Sequence, residues 1–207
     1  MAATLGSGSV TALVYGSKVV AVILAIGPAS LATVALPHFS GLAAKSEWSA
    51  MAGALKTYHR LILLTTIPAT LILFTFSETI ARVLFEHDAF TARDTRIVGG
   101  IQSLYMLQLP FAMLNALLFR VISSIEANDV LMWGGGLHLI VLTLLTYLCM
   151  QWRGAQGIAL ATSIAVALQY VYLAIMLFRL MKPHSREAQS LNVIGGVATG
   201  VIRRRTD

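Results

Sequence analysis

Residues 10–37 read VTALVYGSKVVAVILAIGPASLATVALP, an apolar run that contains a single cation, Lys18. The run is long enough to cross a bilayer, whose hydrocarbon layer of about 30 Å requires roughly 20 helical residues. At a rise of ~1.5 Å per residue, Lys18 lies about 12 Å inside the run. A charge at that depth costs roughly 2.5 kcal/mol or more, so it is typically retained where it faces a wet cavity or a partner. The stretch predicts a membrane helix with a candidate site cation.

Two interpretations of Lys18 are open on the sequence alone. The Gly27-Pro28 pair of the same run predicts a bend, and bent helices with a buried charge are common around transport sites. Alternatively, the side chain snorkels outward to the lipid headgroups, although this depth strains the reach of its stem.

The composition indicates an integral membrane protein. The 207 residues are 57% hydrophobic and 12% charged, with a mean hydropathy of +0.77, whereas soluble domains average roughly 25% charged residues. The net charge of +6 does not indicate nucleic-acid binding, because the cations lie between apolar runs and in the tail, without interleaved aromatic residues. We therefore expect membrane lipids, and no nucleic acid, as partners.

The apolar runs predict an all-α membrane protein with about five transmembrane helices. The spans are expected at about 10–37, 57–85, 97–122, 131–152 and 155–180. Strict period-2 alternation is absent, which argues against a β-barrel. We expect the chain to consist of a helical bundle over residues 1–182 and a polar cytoplasmic tail over residues 183–207. Within the bundle, residues 39–56 are expected to form a connector.

The Lys and Arg residues predict the orientation. One side carries Lys45, Lys56, Arg60, Arg120, Arg179, Lys182, Arg186 and Arg203 to Arg205, and the other carries Arg82, Arg93, Arg96 and Arg153. The positive-inside rule makes the first side cytoplasmic, with the N-terminus outside and the C-terminus inside. An odd number of spans that starts outside without a signal peptide leads us to expect that part of a larger transporter is missing.

Several spans carry polar or small residues with a regular spacing. Gln108 and Asn115 are seven residues apart on one helix face, where they either hold helices together or line a polar path. The remaining patterns are a Glu78/Arg82 ion pair, a Thr91/Asp94 helix cap, a lone His138, an adjacent His87 and Asp88, and small-residue faces at Gly8, Ala12 and Gly16 and at Ala155, Ala159, Ser163 and Ala167.

No pattern indicates catalysis. The sequence lacks a nucleotide phosphate-binding loop, a Cys/His cluster with metal-ligand spacing, and a serine with a paired histidine and carboxylate. We expect no enzyme activity, no catalytic residue, no metal site and no cofactor.

Three stretches together resemble a known transporter family. Residues 8–18 read GSVTALVYGSK and lead to LPHFS at 36–40, residues 84–95 read LFEHDAFTARDT, and residues 157–163 read GIALATS. In order and spacing they resemble the C-terminal lobe of the MurJ/MviN family, the lipid II flippases of bacterial peptidoglycan synthesis within the wider multidrug/oligosaccharidyl-lipid/polysaccharide exporter superfamily.

This resemblance implies a partial MurJ/MATE-like lobe, corresponding to the eighth to twelfth of fourteen helices. It implies an inner-membrane flippase that moves an undecaprenyl-diphosphate-linked glycan by alternating access, with a periplasmic N-terminus. Lys18 falls on the position of a family arginine and would bind the diphosphate, while Gln108 and Asn115 would line the path. Ala21 and Ile23 replace an acidic residue and a proline of the family pattern, and Asp88 replaces a glycine.

The resemblance also implies a partner, either the missing N-terminal lobe or a second copy of the chain. Rival interpretations are a non-transporting membrane scaffold or truncated remnant, and an exporter of small cations or drugs. The exporter is disfavoured because a deep positive charge would repel its cargo. A membrane-embedded lipid-modifying enzyme would need an acid/base pair, which the sequence does not indicate.

Overall fold

The computed structural model describes the backbone of residues 7–86 and 91–203 and the side chains of residues 8–86 and 91–182. The regular elements of this part of the chain are helices. They are α1 (Ser7–Ala44), α2 (Trp48–Thr75), α3 (Ser77–Phe85), α4 (Ala92–Met106), α5 (Leu109–Ser124) and α6 (Asn128–Arg203).

Within the described residues, four segments are long and apolar enough to cross a membrane, namely Gly8–Ala44, Trp48–Thr75, Ala92–Ser124 and Asn128–Lys182. The fourth contains 55 residues and is interrupted at Gly154, where φ is 58° and ψ is −130°. It therefore supplies two helices, which brings the number of helical passes in this part of the chain to five. The prediction of an all-α integral membrane fold is confirmed.

Long-range contacts show that α6 reverses its direction at Gly154. The Tyr172 hydroxyl donates to the carbonyl of Val130 over 3.4 Å. In a straight helix these two residues would be about 63 Å apart. The backbone around Gly157 also packs against the carbonyl of Cys149. The two halves of α6 therefore form a tight antiparallel hairpin.

The first connection is shorter than the predicted connector over residues 39–56, because α1 continues through Pro37 to Ala44 and α2 starts at Trp48. Ser46 adopts a positive φ of 55° and ends α1 in a Schellman motif. In this motif the Glu47 amide donates to the Leu42 carbonyl, and the Ser46 amide donates to the Ala43 carbonyl, both over 3.0 Å. The extension of α1 was not predicted because the stretch is polar in composition. The inward packing of Phe39, which stabilises the extension, is not visible in the sequence.

Two predicted spans are bent or split. The second, expected over 57–85, divides into α2 and the short α3 at Phe76. The third, expected over 97–122, divides at residues 107–108, just before Pro110. Leu107 and Gln108 keep helical backbone angles, so α4 and α5 form one bent crossing. Proline causes this type of bend because it lacks an amide donor and its ring displaces the preceding turn.

Helix α5 lies at the centre of the largest apolar cluster. Its residues Leu117, Val121 and Ile122 are fully buried, and they pack with Phe39 of α1 and Met51 of α2. This cluster also includes Leu173 and Leu177 from the second half of α6. It holds together the end of the bundle that contains the Ser46 turn, which we call the Ser46 end.

A smaller cluster of Leu13, Ile101 and Ala159 lies at the opposite end, near the Gly154 reversal, which we call the Gly154 end. The two groups of cations that the sequence separates lie at opposite ends. Lys45 and Lys182 lie at the Ser46 end, while Arg93 and Arg153 lie at the Gly154 end. The backbone of α6 stays helical to Arg203, beyond the predicted end of the bundle at residue 182.

Candidate functional site

Lys18 lies on an exposed face of α1. Val14, Val22 and Ile26 share this face within eight residues of Lys18 and are between 50% and 65% exposed. Neighbours four residues apart lie on the same side of a helix. Lys18 is thus the cation in the middle of a long apolar surface, which we call the α1 stripe.

Two aromatic rings hold the Lys18 ammonium group at this surface. Its Nζ lies 4.3 Å from the centre of the Tyr15 ring and 6.0 Å from that of Phe85. The two rings contact each other edge to face, with centres 4.9 Å apart. The negative face of an aromatic ring attracts a cation, so this pair orients the charge without neutralising it. The ammonium group keeps its capacity to bind an anion.

The opposite side of α1 docks on α4. Gly16 and Val20 are buried there, and a Cβ added at Gly16 would lie 2.6 Å from Ile101 Cγ2. Gly16 of the predicted small-residue face therefore allows close contact between α1 and α4, and Ala12 packs beside Leu13. A Cβ at Gly8 would meet no atom within 4 Å, so the close contact does not extend to that residue.

Phe85 is positioned by a polar network at the end of α3. Arg82 lies 3.7 Å from Glu78, which confirms the predicted ion pair, and 3.5 Å from Glu86. The Thr95 hydroxyl donates to Glu86 over 2.8 Å and links the end of α3 to α4. Because Phe85 directly precedes Glu86, this link fixes the ring beside Tyr15.

Helix α4 begins at the predicted cap. Thr91 and Asp94 form a reciprocal capping box, in which the Asp94 amide donates to the Thr91 hydroxyl over 3.4 Å. The adjacent His87 and Asp88 lie outside the described residues.

Gln108 and Asn115 are buried, at 6% and 5% exposure. The Asn115 amide donates to the carbonyl of Val166 over 3.0 Å, which ties α5 to the second half of α6, while its Oδ1 has no partner in the described structure. Close packing of this part of α6 is also evident at Ser163, whose hydroxyl donates to the Leu104 carbonyl over 2.7 Å. His138 Nδ1 is likewise buried without a partner among the described residues.

Of the sequence-predicted site residues, the structure separates Lys18 from Asn115 and places Gln108 at the junction of α4 and α5. Lys18 lies on the α1 stripe beside α3, whereas Asn115 faces α6 from inside the bundle. The roles of Tyr15 and Phe85 were not predicted from the sequence. The three-residue spacing of Tyr15 and Lys18 could have revealed the first. Phe85 is 67 positions after Lys18, and no local pattern links the two.

Comparisons with known proteins agree on one family. Residues 1–197 match the family described as "Lipid II flippase MurJ". A probable lipid II flippase MurJ from Rhizobium tropici is 27% identical over 173 residues, covering 83% of this chain and 32% of the relative. The corresponding protein of Treponema pallidum is 24% identical over 179 residues, covering 86% of this chain and 34% of the relative.

A solved structure, described as "Lipid II flippase MurJ, inward closed conformation", has the same fold. It matches with a TM-score of 0.74 and 26% identity, over 83% of this chain and 36% of the other. The chain thus spans about a third of the length of the relatives it matches. Since the family match covers nearly the whole sequence and the helices superpose on a solved member, the chain belongs to the MurJ lipid II flippase family.

Proposed function

We propose that this chain forms one wall of a flippase cavity that moves an undecaprenyl-diphosphate-linked peptidoglycan precursor across the bacterial inner membrane. The process is alternating access without covalent chemistry, so the chain is a transporter and not an enzyme. Lys18 is the diphosphate-binding cation.

The observation that supports this role is the placement of Lys18. A cation at this depth in an apolar helix is costly unless it is compensated. The Tyr15 and Phe85 rings compensate it in part, yet they leave the ammonium group at the surface of the α1 stripe. A lipid diphosphate carries the complementary charge, and its polyprenyl chain suits the exposed valines of the stripe.

The α1 stripe needs a second wall to form a cavity. The family relatives are about three times longer than the matched region, so we infer that an N-terminal lobe or a second copy of this chain covers the stripe. Gln108 and Asn115 are weaker candidates for the transport path, because Asn115 already bonds to the backbone of a neighbouring helix.

The same proposal sets the orientation. The Ser46 end, which carries Lys45, Lys56 and Lys182, faces the cytoplasm under the positive-inside rule. The N-terminus of α1 is then periplasmic, and the substrate enters from the cytoplasmic side.

Complementation of a flippase-depleted bacterium tests the proposal. The chain is expressed alone and together with an N-terminal lobe from the family, as wild type, Lys18→Ala and Lys18→Arg. The control is Lys45→Ala, which removes a lysine from the turn after α1. We expect rescue with the lobe present, loss of rescue in Lys18→Ala, and rescue in Lys18→Arg, since the planar fork of arginine binds phosphate well.

In membrane vesicles, Lys18→Ala should reduce the flipping rate by about tenfold or more, the usual size of a lost charge-assisted contact. Rescue by Lys18→Ala at normal expression would refute the role of Lys18. Failure of every well-expressed form, with and without the lobe, would favour a non-transporting scaffold or remnant.

A further inference from the structure

A groove at the Ser46 end lies between the start of α2 and the second half of α6. It encloses about 690 Å³. Its walls are mostly apolar and include Leu55 of α2, Leu118 of α5, and Ala174 and Leu177 of α6. It is separate from the α1 stripe, since no α1 residue lines it.

Cations from two helices line this groove. Lys56 comes from α2 and Lys182 from the last described turn of α6. A second cleft of about 550 Å³ continues along α2, shares Lys56 with the groove, and adds Arg60. Lys182 is the cation nearest the end of the bundle, whereas Lys56 lies about 12 Å deeper along α2 from Trp48.

The deeper end of the groove lies where Tyr170 meets His59, and the second cleft begins there. The Tyr170 hydroxyl lies 3.5 Å from His59 Nε2, which connects α6 to α2 across the floor. From Lys182 to Tyr170 the helix rises about 18 Å, close to the roughly 15 Å depth of one leaflet of the hydrocarbon layer. The groove therefore has the length of a single lipid molecule that lies upright in one leaflet.

We propose that this groove binds an acidic phospholipid of the leaflet at the Ser46 end. Its phosphate lies between Lys56 and Lys182, and an acyl chain follows Leu177 and Ala174 towards Tyr170. Basic pockets between membrane helices bind anionic headgroups in this way, because lysines draw the phosphate while the apolar walls replace lipid contacts. The bound lipid stabilises the packing of α2 against α6.

The test measures bound lipid on the whole chain, purified in mild detergent, by native mass spectrometry with added phosphatidylglycerol or phosphatidylcholine. We expect about tenfold or greater preference for phosphatidylglycerol, from the attraction of two lysines. The preference should disappear in Lys56→Ala/Lys182→Ala and persist in Lys56→Arg/Lys182→Arg and in Lys45→Ala. Glycerol phosphate, which has the charge without the chains, should not compete.

A second variant tests the groove without changing the charge. Ala174→Trp fills the groove, whereas Leu168→Trp adds similar bulk at an exposed position of the same helix that does not line the groove. Only Ala174→Trp should reduce phosphatidylglycerol binding. Equal binding of the two lipids by the wild type would overturn the proposal, and so would unchanged preference in the double alanine variant or equal effects of the two tryptophans.

Discussion

At the scale of single residues, the environment of Lys18 explains how an apolar helix tolerates a cation. The Tyr15 ring lies one turn before Lys18 on α1, and the Phe85 ring belongs to the last residue of α3. Both rings are apolar enough for a membrane, and both offer a negative face to the ammonium group. Among the described residues the charge is thus exposed without a fixed counterion, which suits a group that binds and releases an anion.

Replacement of the Tyr15 ring measures this stabilisation. Tyr15→Leu removes the aromatic face and should lower the free energy of unfolding by about 0.5–2 kcal/mol. Tyr15→Phe retains the face and separates the contribution of the hydroxyl. The coupling to Lys18 is read from a double-mutant cycle with Lys18→Met by thermal unfolding in detergent. A coupling energy near zero would show that the ring does not stabilise the charge.

Asn115 presents the opposite case of a polar residue inside the bundle. Its bond to the Val166 carbonyl joins two helices, and interhelical bonds of this kind contribute roughly 0.6 kcal/mol on average. Asn115→Leu should therefore lower stability by at most about 1.5 kcal/mol and leave lipid flipping intact at equal expression. A loss of flipping with unchanged thermal stability would instead place Asn115 on the transport path.

At the scale of elements, the hairpin of α6 depends on two glycines. Gly154 has a backbone conformation that side-chain-bearing residues rarely adopt, and Gly157 approaches the backbone of Cys149 too closely for a Cβ. The sequence predicted two spans on either side of residues 153–154, because length and hydropathy mark the crossings. The positions of the Lys and Arg residues along the sequence also grouped them into two sets, and the structure places these sets at opposite ends of the bundle.

Substitution of these glycines tests the hairpin. Gly154→Ala should cost about 1–3 kcal/mol through backbone strain, and Gly157→Ala should cost a similar amount through overpacking. Gly136→Ala is the control, because a Cβ there meets no atom within 4 Å. It should be neutral or stabilise the helix by up to about 1 kcal/mol. Equal thermal stability of all three variants in detergent would contradict the tight reversal at Gly154.

At the scale of the whole molecule, the features that depend on residues close in the sequence were predicted, whereas those that depend on residues far apart in the sequence were not. The all-helical fold and the Glu78/Arg82 and Thr91/Asp94 pairs depend on spacings of three or four residues, which the sequence displays directly. The extension of α1 to Ala44 was missed because its stabilisation comes from Phe39, which packs with α5 far along the chain. The aromatic support of Lys18 was missed for the same reason.

The last prediction concerns the orientation of the molecule in the membrane. The single native Cys149 is replaced by serine, and one new cysteine is introduced at Lys45 or at Arg93, which lie at opposite ends of the bundle. A membrane-impermeant maleimide added to spheroplasts should label Arg93→Cys and spare Lys45→Cys. Both variants should react after the cells are broken. The reverse pattern would invert the topology that the positive-inside rule predicts. It would also place Lys56 and Lys182 in the outer leaflet, so the phospholipid groove would face the periplasm.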